Sequence, residues 1–490
     1  MARFLIIVLS LSLTLAGCKV GPDYHPPSTE VNASFDPLPG KASAQPYALT
    51  SSSNETAEWW NTLNDPVLNS LIEQAVKANH DVRLAAARVR EARARRAVVG
   101  AGQYPGIDVN AAESRNRFSK TAAPYSAFNV PGFPWGFDLY QAGFDASWEM
   151  DVFGAVRRSV EAADAGLQAG IEDQRSVLVS VLAEVARNYV ELRGYQQQLA
   201  INDRDLQIQR ETLELILDRS HKGTATQLDA SRAAAQVSTT EAQLPYLRNL
   251  QWQAMHRLAV LIGQQPGALV ETLSEVKPVP TPPAEAPIGV PAELLRRRPD
   301  IRRAERLLAA ATARVGMATA DLYPRFSLTG SFSLQSSNFS DLGRWESRTF
   351  GFGPAVLWPI FDAGRLRALV RASDAQQEQA LVLYEQTVLQ SLEEVHDAIA
   401  AFITEQDRRK SLQEAVRANQ EATDLSADLY RKGLTDFTTV LDSQQKLSQV
   451  QEALVQSETT VTTSLIALFK ALGGGWELRL PPEQKSSDRR

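Results

Sequence analysis

Two hydrophobic patterns alternate along this chain, and each of them occurs twice. Every second residue is apolar or aromatic over residues 140–152 and again over residues 326–334, which predicts strands with one apolar and one polar face. We expect partner strands over residues 106–115 and 348–360, where the alternation is weaker. Strands of this kind suit either a half-solvated soluble sheet or a barrel with lipid outside and water inside.

The second pattern is a heptad-like repeat within long segments that lack proline. Residues 135–244 and 360–480 contain no proline, so each can carry a helix of about 65 residues, or about 100 Å at 1.5 Å per residue. Apolar residues spaced alternately by four and three are Leu178, Leu182, Val185, Tyr189, Leu192, Leu199, Leu206, Leu213 and Leu217, and then Val388, Leu392, Val395, Ile399 and Phe402. This period predicts helices that wrap left-handedly around neighbours. Polar residues in the skipped positions, such as Gln196, indicate a wide assembly whose helices also face water.

The two patterns repeat because the sequence is duplicated. Asp81-Val82-Arg83 recurs as Asp300-Ile301-Arg302 at an offset of 219 residues, and Tyr104-Pro105 recurs as Tyr323-Pro324. Further along the offset is 210, and it relates Trp148, Gly154, Arg157 and Lys222-Gly223 to Trp358, Gly364, Arg367 and Lys432-Gly433. The difference places a longer loop in the first copy. Each copy is predicted to run helix, strand, loop, strand, long helix, turn, helix.

The N-terminal residues are typical of a bacterial lipoprotein signal. Arg3 precedes an apolar stretch, and the LAGC sequence that follows ends at Cys18, the single cysteine of the chain. We expect cleavage before Cys18, a lipid on its side chain and, because Lys19 rather than Asp follows, retention in the outer membrane. The predicted segments are a signal peptide (1–17), a lipidated tether (18–57), the first repeat (58–277), a proline-rich linker (278–291), the second repeat (292–476) and a polar tail (477–490).

Composition excludes several classes of protein. The formal net charge is −6, with 51 Lys and Arg against 57 Asp and Glu, so a nucleic-acid partner is not expected. One cysteine and five dispersed histidines provide no metal-binding spacing. The spacing of residues shows no Ser-His-Asp or paired-carboxylate arrangement that would indicate an enzyme. We expect no cofactor besides the covalent lipid.

Four predicted strands are too few to close a membrane barrel. Unpaired backbone groups cost several kcal/mol each in lipid, and closed barrels begin at about eight strands. If the strands lie in a membrane, several chains must therefore share one barrel. The long helices would then extend into the periplasm and continue the barrel as a duct.

Several motifs in fixed order resemble the outer-membrane factor, or TolC-like, family, and its NodT-type lipoproteins of resistance-nodulation-division efflux systems in particular. They are CKVGPDY at 18–24, WW at 59–60 with DP at 65–66, SWEMDVFG at 147–154 and RRPDIR at 297–302. The resemblance implies a mainly α fold with a small β part. It implies a homotrimer in which a shared transmembrane β-barrel, with four strands from each chain, continues into a long periplasmic α-helical coiled-coil barrel. The implied partners are a periplasmic adaptor protein and an inner-membrane pump.

The resemblance also assigns residues to a gate where the long helices turn. Asp442 matches an inward-pointing gate acid and Tyr430 a gate tyrosine. TolC carries an Arg at the position of Thr435 and an Asp at that of Thr439, so its hydrogen-bond latch cannot be copied, and Asp436 or Phe437 is expected to contribute instead. The turn residues Lys222, Gly223, Lys432 and Gly433 are expected to dock the adaptor.

Two functions from different classes remain open at this point. The first is a passive outer-membrane exit duct that exports drugs and other small molecules, with the cargo chosen mostly by the pump. The alternative is a periplasm-spanning structural or adaptor lipoprotein without a pore. The duplicated strands, with Trp148 and Trp358 at matching places as interface anchors, favour the duct.

Overall fold

The structure is a computed structural model that describes residues 19–28, 49–50, 57–121, 135–282, 286–287 and 295–477. The predicted signal peptide and Cys18 lie outside the described residues. The chain divides into two compact units. Of the described residues, the sheet unit comprises those within Met1–Pro27, Arg90–Ala169 and Ala304–Tyr384, and the helical unit comprises those within Ser28–Val89, Gly170–Arg303 and Glu385–Arg490.

Both copies contain the predicted elements in the predicted order. The first copy runs β1 (Leu49–Thr50), α1 (Pro66–Ala78), α2 (His80–Ala101), β2 (Gly106–Arg117), β3 (Gly136–Met150), α3 (Ala155–His221), α4 (Gln227–Leu261) and α5 (Val270–Leu273). The second runs β4 (Ala286–Pro287), α6 (Pro299–Ala320), β5 (Arg325–Ser336), β6 (Arg348–Leu357), α7 (Arg365–Arg431) and α8 (Phe437–Ala471). The long helices α3 and α7 both have 67 residues, and α4 and α8 both have 35. Within the described segments, no helix combines the length and the apolar character needed to cross a membrane.

The sheet unit is built around four antiparallel strands in the order β2-β3-β5-β6. Directly opposed residues lie on the same face of a sheet. One row across all four strands is apolar and exposed, and consists of Val109, Phe144, Phe332 and Phe350. The neighbouring row faces the other way and consists of Asp108, Asp145, Ser331 and Gly351. The alternation predicted from sequence is therefore confirmed, and its apolar face is uncovered within this chain.

The two hairpins pair their strands in the same register, as the duplication predicts. Asp108 lies opposite Asp145 in the first hairpin, and their counterparts Ser327 and Ala355 lie opposite each other in the second. The indole N–H of Trp148 donates to the Gln103 carbonyl, and that of Trp358 donates to the Leu322 carbonyl, both at 3.1 Å. Each tryptophan thus ties the end of its hairpin to the end of the preceding helix in the same way.

The start of the predicted tether is packed in the sheet unit rather than free. The Arg158 side chain is fully buried and donates to the carbonyls of Val20 (3.1 Å) and Gly21 (3.0 Å). It also pairs with Asp23 and Glu161, both at 3.0 Å. Residues 20–23 of the predicted tether are therefore bound to the sheet unit. Its proline-rich and serine-rich composition indicated an extended chain but gave no sign that a buried cation binds it.

The helical unit contains the largest hydrophobic core of the described residues. Trp59 stacks on Phe469 with ring centroids 5.3 Å apart, and Trp60 packs edge-on against Trp59 at 5.7 Å. Asp65 caps α1 by accepting from the amides of Val67 and Leu68, and it also accepts a 2.7 Å hydrogen bond from the Tyr189 hydroxyl. The WW and DP motifs therefore build this core and the first helix start.

The heptad prediction holds for most of α3. The heptad residues from Leu178 to Leu206 are buried, and Leu213 is partly buried. Leu217 is exposed, however, and its neighbour Ile216 is fully buried. Ile216 belongs to an apolar cluster with Ala230, Ala233, Phe437 and Val440, so near the end of α3 the buried face is the one that contacts α4 and α8 rather than the face of the heptad residues.

Candidate functional site

The predicted gate lies where each long helix turns into the next, within the helical unit. In the first copy α3 ends in a turn at Gly223, and in the second copy α7 ends in a turn at Gly433. Both glycines have φ +72, which other residues adopt only with strain. The amide of Gly223 donates to the Ser220 carbonyl and that of Gly433 to the Tyr430 carbonyl, both at 3.0 Å. These glycines close the helices, which is the structural role expected from their positions.

The helices that follow the turns begin with different caps. Thr226 caps α4 in a reciprocal capping box with Asp229. Asp436 caps α8 and accepts from the Thr439 hydroxyl (2.7 Å) and the Thr439 amide (3.0 Å). The hydrogen bond from the Thr439 side chain, followed by that from its amide, holds the pKa of the Asp436 carboxyl below its usual value, and the nearby Arg232 charge adds to the effect. Asp436 is thus an ionised helix cap on the tip surface.

Phe437 lies inside the tip and not on its surface. It is 4% exposed and belongs to an apolar cluster, the tip cluster, with Ile216, Ala230, Ala233 and Val440. The Tyr430 ring packs against Phe437 with centroids 5.6 Å apart, and the Arg219 guanidinium lies 4.9 Å from the centre of the Tyr430 ring. The tip cluster therefore joins the two hairpins of one chain, and a role of Phe437 in gating would be to position Tyr430.

Asp442 is exposed, one turn and a half beyond the Asp436 cap. Its neighbour Leu441 packs against the tip cluster, whereas Asp442 itself is exposed within this chain. The residue at the same place in the first copy is Arg232, 210 positions earlier. The Arg232 guanidinium donates to the Thr438 hydroxyl at 2.7 Å, which forms a second link between the hairpins. Sequence reasoning missed Arg232 and Arg219, although applying the repeat offset to Asp442 would have found the former.

The two predicted docking lysines have the same environment. Lys222 pairs with Asp218 and Lys432 with Asp428, each at 2.5 Å and one helical turn away. The hydrogen bond from Lys432 lowers the pKa of the Asp428 carboxyl. Leu434, beside the second turn, is 72% exposed. Each turn thus presents a paired lysine, and the second adds an uncovered leucine.

The described residues include no cluster of histidine, cysteine, aspartate and glutamate that could hold a metal ion. The tip instead presents exposed carboxylates and guanidinium groups on two hairpins that the tip cluster holds together. Such groups act on passing ions by charge rather than by covalent chemistry. A sheet with one apolar face and charged helix tips of this kind are features of a membrane channel subunit.

The sequence matches the outer membrane efflux protein family over residues 71–264 and 290–474, and the chain belongs to this family. It is 31% identical to nodulation protein T of Rhizobium leguminosarum bv. trifolii over 469 residues, which is 95% of this chain and 96% of that protein. It is 31% identical to outer membrane protein OprJ of Pseudomonas aeruginosa over 484 residues, which is 97% of this chain and 96% of OprJ.

The fold agrees with this assignment. The solved outer-membrane channel OprN superimposes with a TM-score of 0.85 at 37% identity, covering 94% of this chain and all of that chain. The resemblance drawn from the sequence motifs and the predicted duplicated, mainly helical TolC-like fold are therefore confirmed. The protein is assigned to the outer membrane, and members of its family are channels and efflux proteins.

Proposed function

We propose that the chain is the outer-membrane exit duct of a tripartite efflux pump, through which drugs and other small molecules pass passively to the exterior. The observation that carries this proposal is the sheet, in which the register places the exposed apolar row of Val109, Phe144, Phe332 and Phe350 on one face and the row of Asp108, Asp145, Ser331 and Gly351 on the other. A face of this kind is stable against lipid, and its polar reverse suits a water-filled lumen.

The duct is a homotrimer in this proposal. Strands β2 and β6 have one paired neighbour each within the described chain, and open edges do not persist in lipid. Three chains would supply twelve strands, enough to close a barrel. The lipid on Cys18 would hold each chain in the same membrane, directly before the docked segment 19–27.

The gate is at the helix tips. Three symmetry-related copies of Asp442 at a constriction would attract cations and repel anions, as charged rings do in other pores. Tyr430, held by Phe437 and Arg219, would narrow the same opening, and Asp436 would keep α8 in place.

The turns are the contact site for a periplasmic adaptor protein that connects the duct to an inner-membrane resistance-nodulation-division pump. Gly223 and Gly433 expose the backbone of the turns, Lys222 and Lys432 flank them, and Leu434 offers an apolar contact. Energy for transport would come from the pump, so the duct needs no catalytic site or cofactor.

Single-channel conductance in planar bilayers tests the proposal. Purified wild-type protein and Asp442→Asn are compared under a salt gradient, with Asp424→Asn as a control that neutralises another exposed acid of the helical unit. We expect small, cation-selective steps in wild type and reduced cation selectivity in Asp442→Asn, with Asp424→Asn unchanged.

Equal selectivity in all three proteins would keep the duct and move the gate away from Asp442. Protein that remains monomeric on unheated gels and conducts no current would contradict the duct itself and favour the adaptor alternative.

A further inference from the structure

A polar contact region lies in the middle of the helical unit, where the long helix α3 meets the last helix α8. The Asn202 side-chain amide donates to the Glu452 carboxylate at 2.8 Å. One turn further along α3, the Asp205 carboxylate accepts a hydrogen bond from the Ser448 hydroxyl, which lies one turn earlier on α8. The two helices therefore run antiparallel through this region. We call Asp205 and Ser448 the central pair.

Contacts further along both helices have the same register. Eleven residues before the central pair on α3, a Cβ atom at Gly194 would meet the side chain of Thr459, which lies eleven residues after the central pair on α8. Eleven residues in the other direction, Ile216 shares the tip cluster with Phe437. Eleven residues make about three helical turns, so a single face of α3 follows a single face of α8 from the large core to the tip.

Three acceptor oxygens along this contact are buried and have no hydrogen-bond donor among the described residues. They are Asp205 Oδ2, Gln209 Oε1 and Gln444 Oε1. Each glutamine lies one turn from the central pair, on α3 or on α8, so the constant register brings the three oxygens into one stretch of the interface. A carboxylate can only accept hydrogen bonds, whereas a protonated carboxyl has one O–H donor. A proton on Asp205 would therefore add the donor that this stretch lacks.

The surroundings of Asp205 favour its neutral form. Burial raises the pKa of the Asp205 carboxyl above its usual value, and the Ser448 hydrogen bond and the charge of Arg204 offset this only in part. Arg204 lies on α3 itself and is exposed. The remaining ionisable groups at this level are exposed or already paired, and they are Lys446 and Glu452 on α8 and Glu241, Tyr246 and Arg248 on α4.

We infer that protonation of Asp205 tightens the contact between α3 and α8, so that the central pair and the two glutamines form a clasp that closes in acid. The neutral carboxyl still accepts from Ser448, and its O–H donates to one of the unpartnered glutamine oxygens. The ionised carboxylate leaves all three buried acceptors without a donor, which weakens the interface. Because the folded chain raises the pKa of Asp205, this stabilisation is present in acid and is lost as the pH rises through the raised pKa.

The clasp lies on the helix that leads to the gate, and its effect on transport rests on the proposed function. Helix α8 begins at the Asp436 cap and passes through the tip cluster before it reaches the clasp. A closed clasp holds α8 against α3 and thereby holds the two hairpins of one chain together. The resting conductance of the duct should therefore fall as the pH falls.

Amide hydrogen exchange of the purified full-length protein tests the clasp without requiring a channel. Wild type is compared with Asp205→Asn, which has the shape of the protonated acid and carries a donor at every pH. Asp203→Asn is the matched control, because it neutralises an exposed acid two residues away on the same helix. The proteins are compared with one another at the same pH, since exchange itself depends on pH. The segments followed are residues 199–213 of α3 and 440–452 of α8.

At neutral pH we expect both segments to exchange several-fold more slowly in Asp205→Asn than in wild type, and in acid at the same rate. Each unit by which the interface raises the pKa corresponds to about a tenfold change in the opening equilibrium. Asp203→Asn should exchange like wild type throughout. Burial also raises the pKa values of Glu191 and Glu458, but these acids titrate in all three proteins and cancel in the comparison.

A second variant tests the same equilibrium from the other helix. Ser448→Ala removes the donor that favours the carboxylate, so its protected state should persist to a higher pH than that of wild type. Equal exchange of Asp205→Asn and wild type at neutral pH would overturn the clasp. Faster exchange of Asp205→Asn at every pH would also overturn it, since the carboxylate would then be the form that holds the helices together.

Single-channel recording distinguishes the clasp from the duct. We expect the conductance of wild type and Asp203→Asn to fall in acid, and that of Asp205→Asn to stay low at neutral pH as well. The same pH dependence in Asp205→Asn as in wild type would overturn control of the gate by the clasp. Protein that conducts no current in any variant would contradict the duct, while the exchange rates would still decide whether the clasp exists.

Discussion

Gly316 in α6 should be essential for holding the N-terminal segment, since an alanine there has no room. A Cβ atom at Gly316 would lie 2.5 Å from Arg158 Nε and 2.7 Å from Arg158 Cδ. Arg158 is fully buried and holds the carbonyls of Val20 and Gly21. It therefore cannot move away without releasing residues 19–27.

The magnitude follows from two opposed effects. Overpacking of a tight site costs about 1–3 kcal/mol, and contacts below 3.0 Å place this site at the upper end. Replacing a helical glycine by alanine recovers about 1 kcal/mol. The net cost is about 2 kcal/mol, which increases the detached fraction of the segment by about 30-fold. Expelling Arg158 instead would break a buried ion pair, at about 3–5 kcal/mol.

Limited chymotrypsin digestion of the purified protein measures this fraction, because Tyr24 is the aromatic residue of the docked segment. Its hydroxyl donates to Glu305 at 3.0 Å, so cleavage requires detachment. Gly166→Ala is the matched control, since Gly166 is also helical, in the same unit, and a Cβ there meets no atom within 4 Å. Mass spectrometry identifies the fragment that begins at His25. Cleavage of Gly316→Ala at the rate of Gly166→Ala would refute the docking argument.

Three further variants test the tip and the anchor. Phe437→Ala should cost about 3–5 kcal/mol because the ring is almost completely buried, and amide exchange in the first turns of α8 should accelerate while exchange in the sheet unit does not. Arg232→Gln should weaken the link to Thr438 and raise the resting conductance several-fold, whereas the exposed control Arg248→Gln should not; equal conductance would argue against the link. Cys18→Ala should reduce retention in fractionated outer membranes, and unchanged retention would count against the lipid.

Most of the fold could be predicted from the hydrophobic periodicity and the duplication of the sequence. The alternating strands and the proline-free segments predicted the elements, because a one-sided sheet and a long helix each leave a regular pattern. The two offsets, 219 and 210 residues, also relate the opposed pairs of the first hairpin to those of the second. What they could not show is which residues of one element meet another, so the burial of Phe437 against the first hairpin was not visible in the sequence.

The sequence motifs likewise did not show which arginines are buried. Arg298 is 6% exposed, donates to the Ala471 carbonyl at 2.8 Å and pairs with Glu394 at 2.7 Å. The arginine-rich runs at residues 83–96 and 296–306 occupy matching places in the two repeats, which predicts a structural role in which they are solvated or paired with Glu91 and Glu305. Arg95 does pair with Glu91 at 2.6 Å. Arginine is almost never fully buried unless it is paired, so composition alone could not identify Arg298 or Arg158 as interior groups.

Comparison of the two repeats separates residues that hold the fold from residues that distinguish one tip from the other. Where both repeats require the same backbone contact, either the same residue or the same hydrogen bond occurs in both. Asn79 donates to the Leu261 carbonyl at 2.8 Å, as Arg298 donates to the Ala471 carbonyl, although the side chains differ.

At the tips of the two repeats, in contrast, the hydrogen bonds themselves differ. Arg232 faces Thr438 where the second repeat has the exposed Asp442, and the Thr226 cap is replaced by the charged Asp436. In a ring of three chains, Arg232 and Asp442 would therefore alternate at matching places on the tips. Such alternation lets neighbouring hairpins attract each other when closed, which six identical tips could not do.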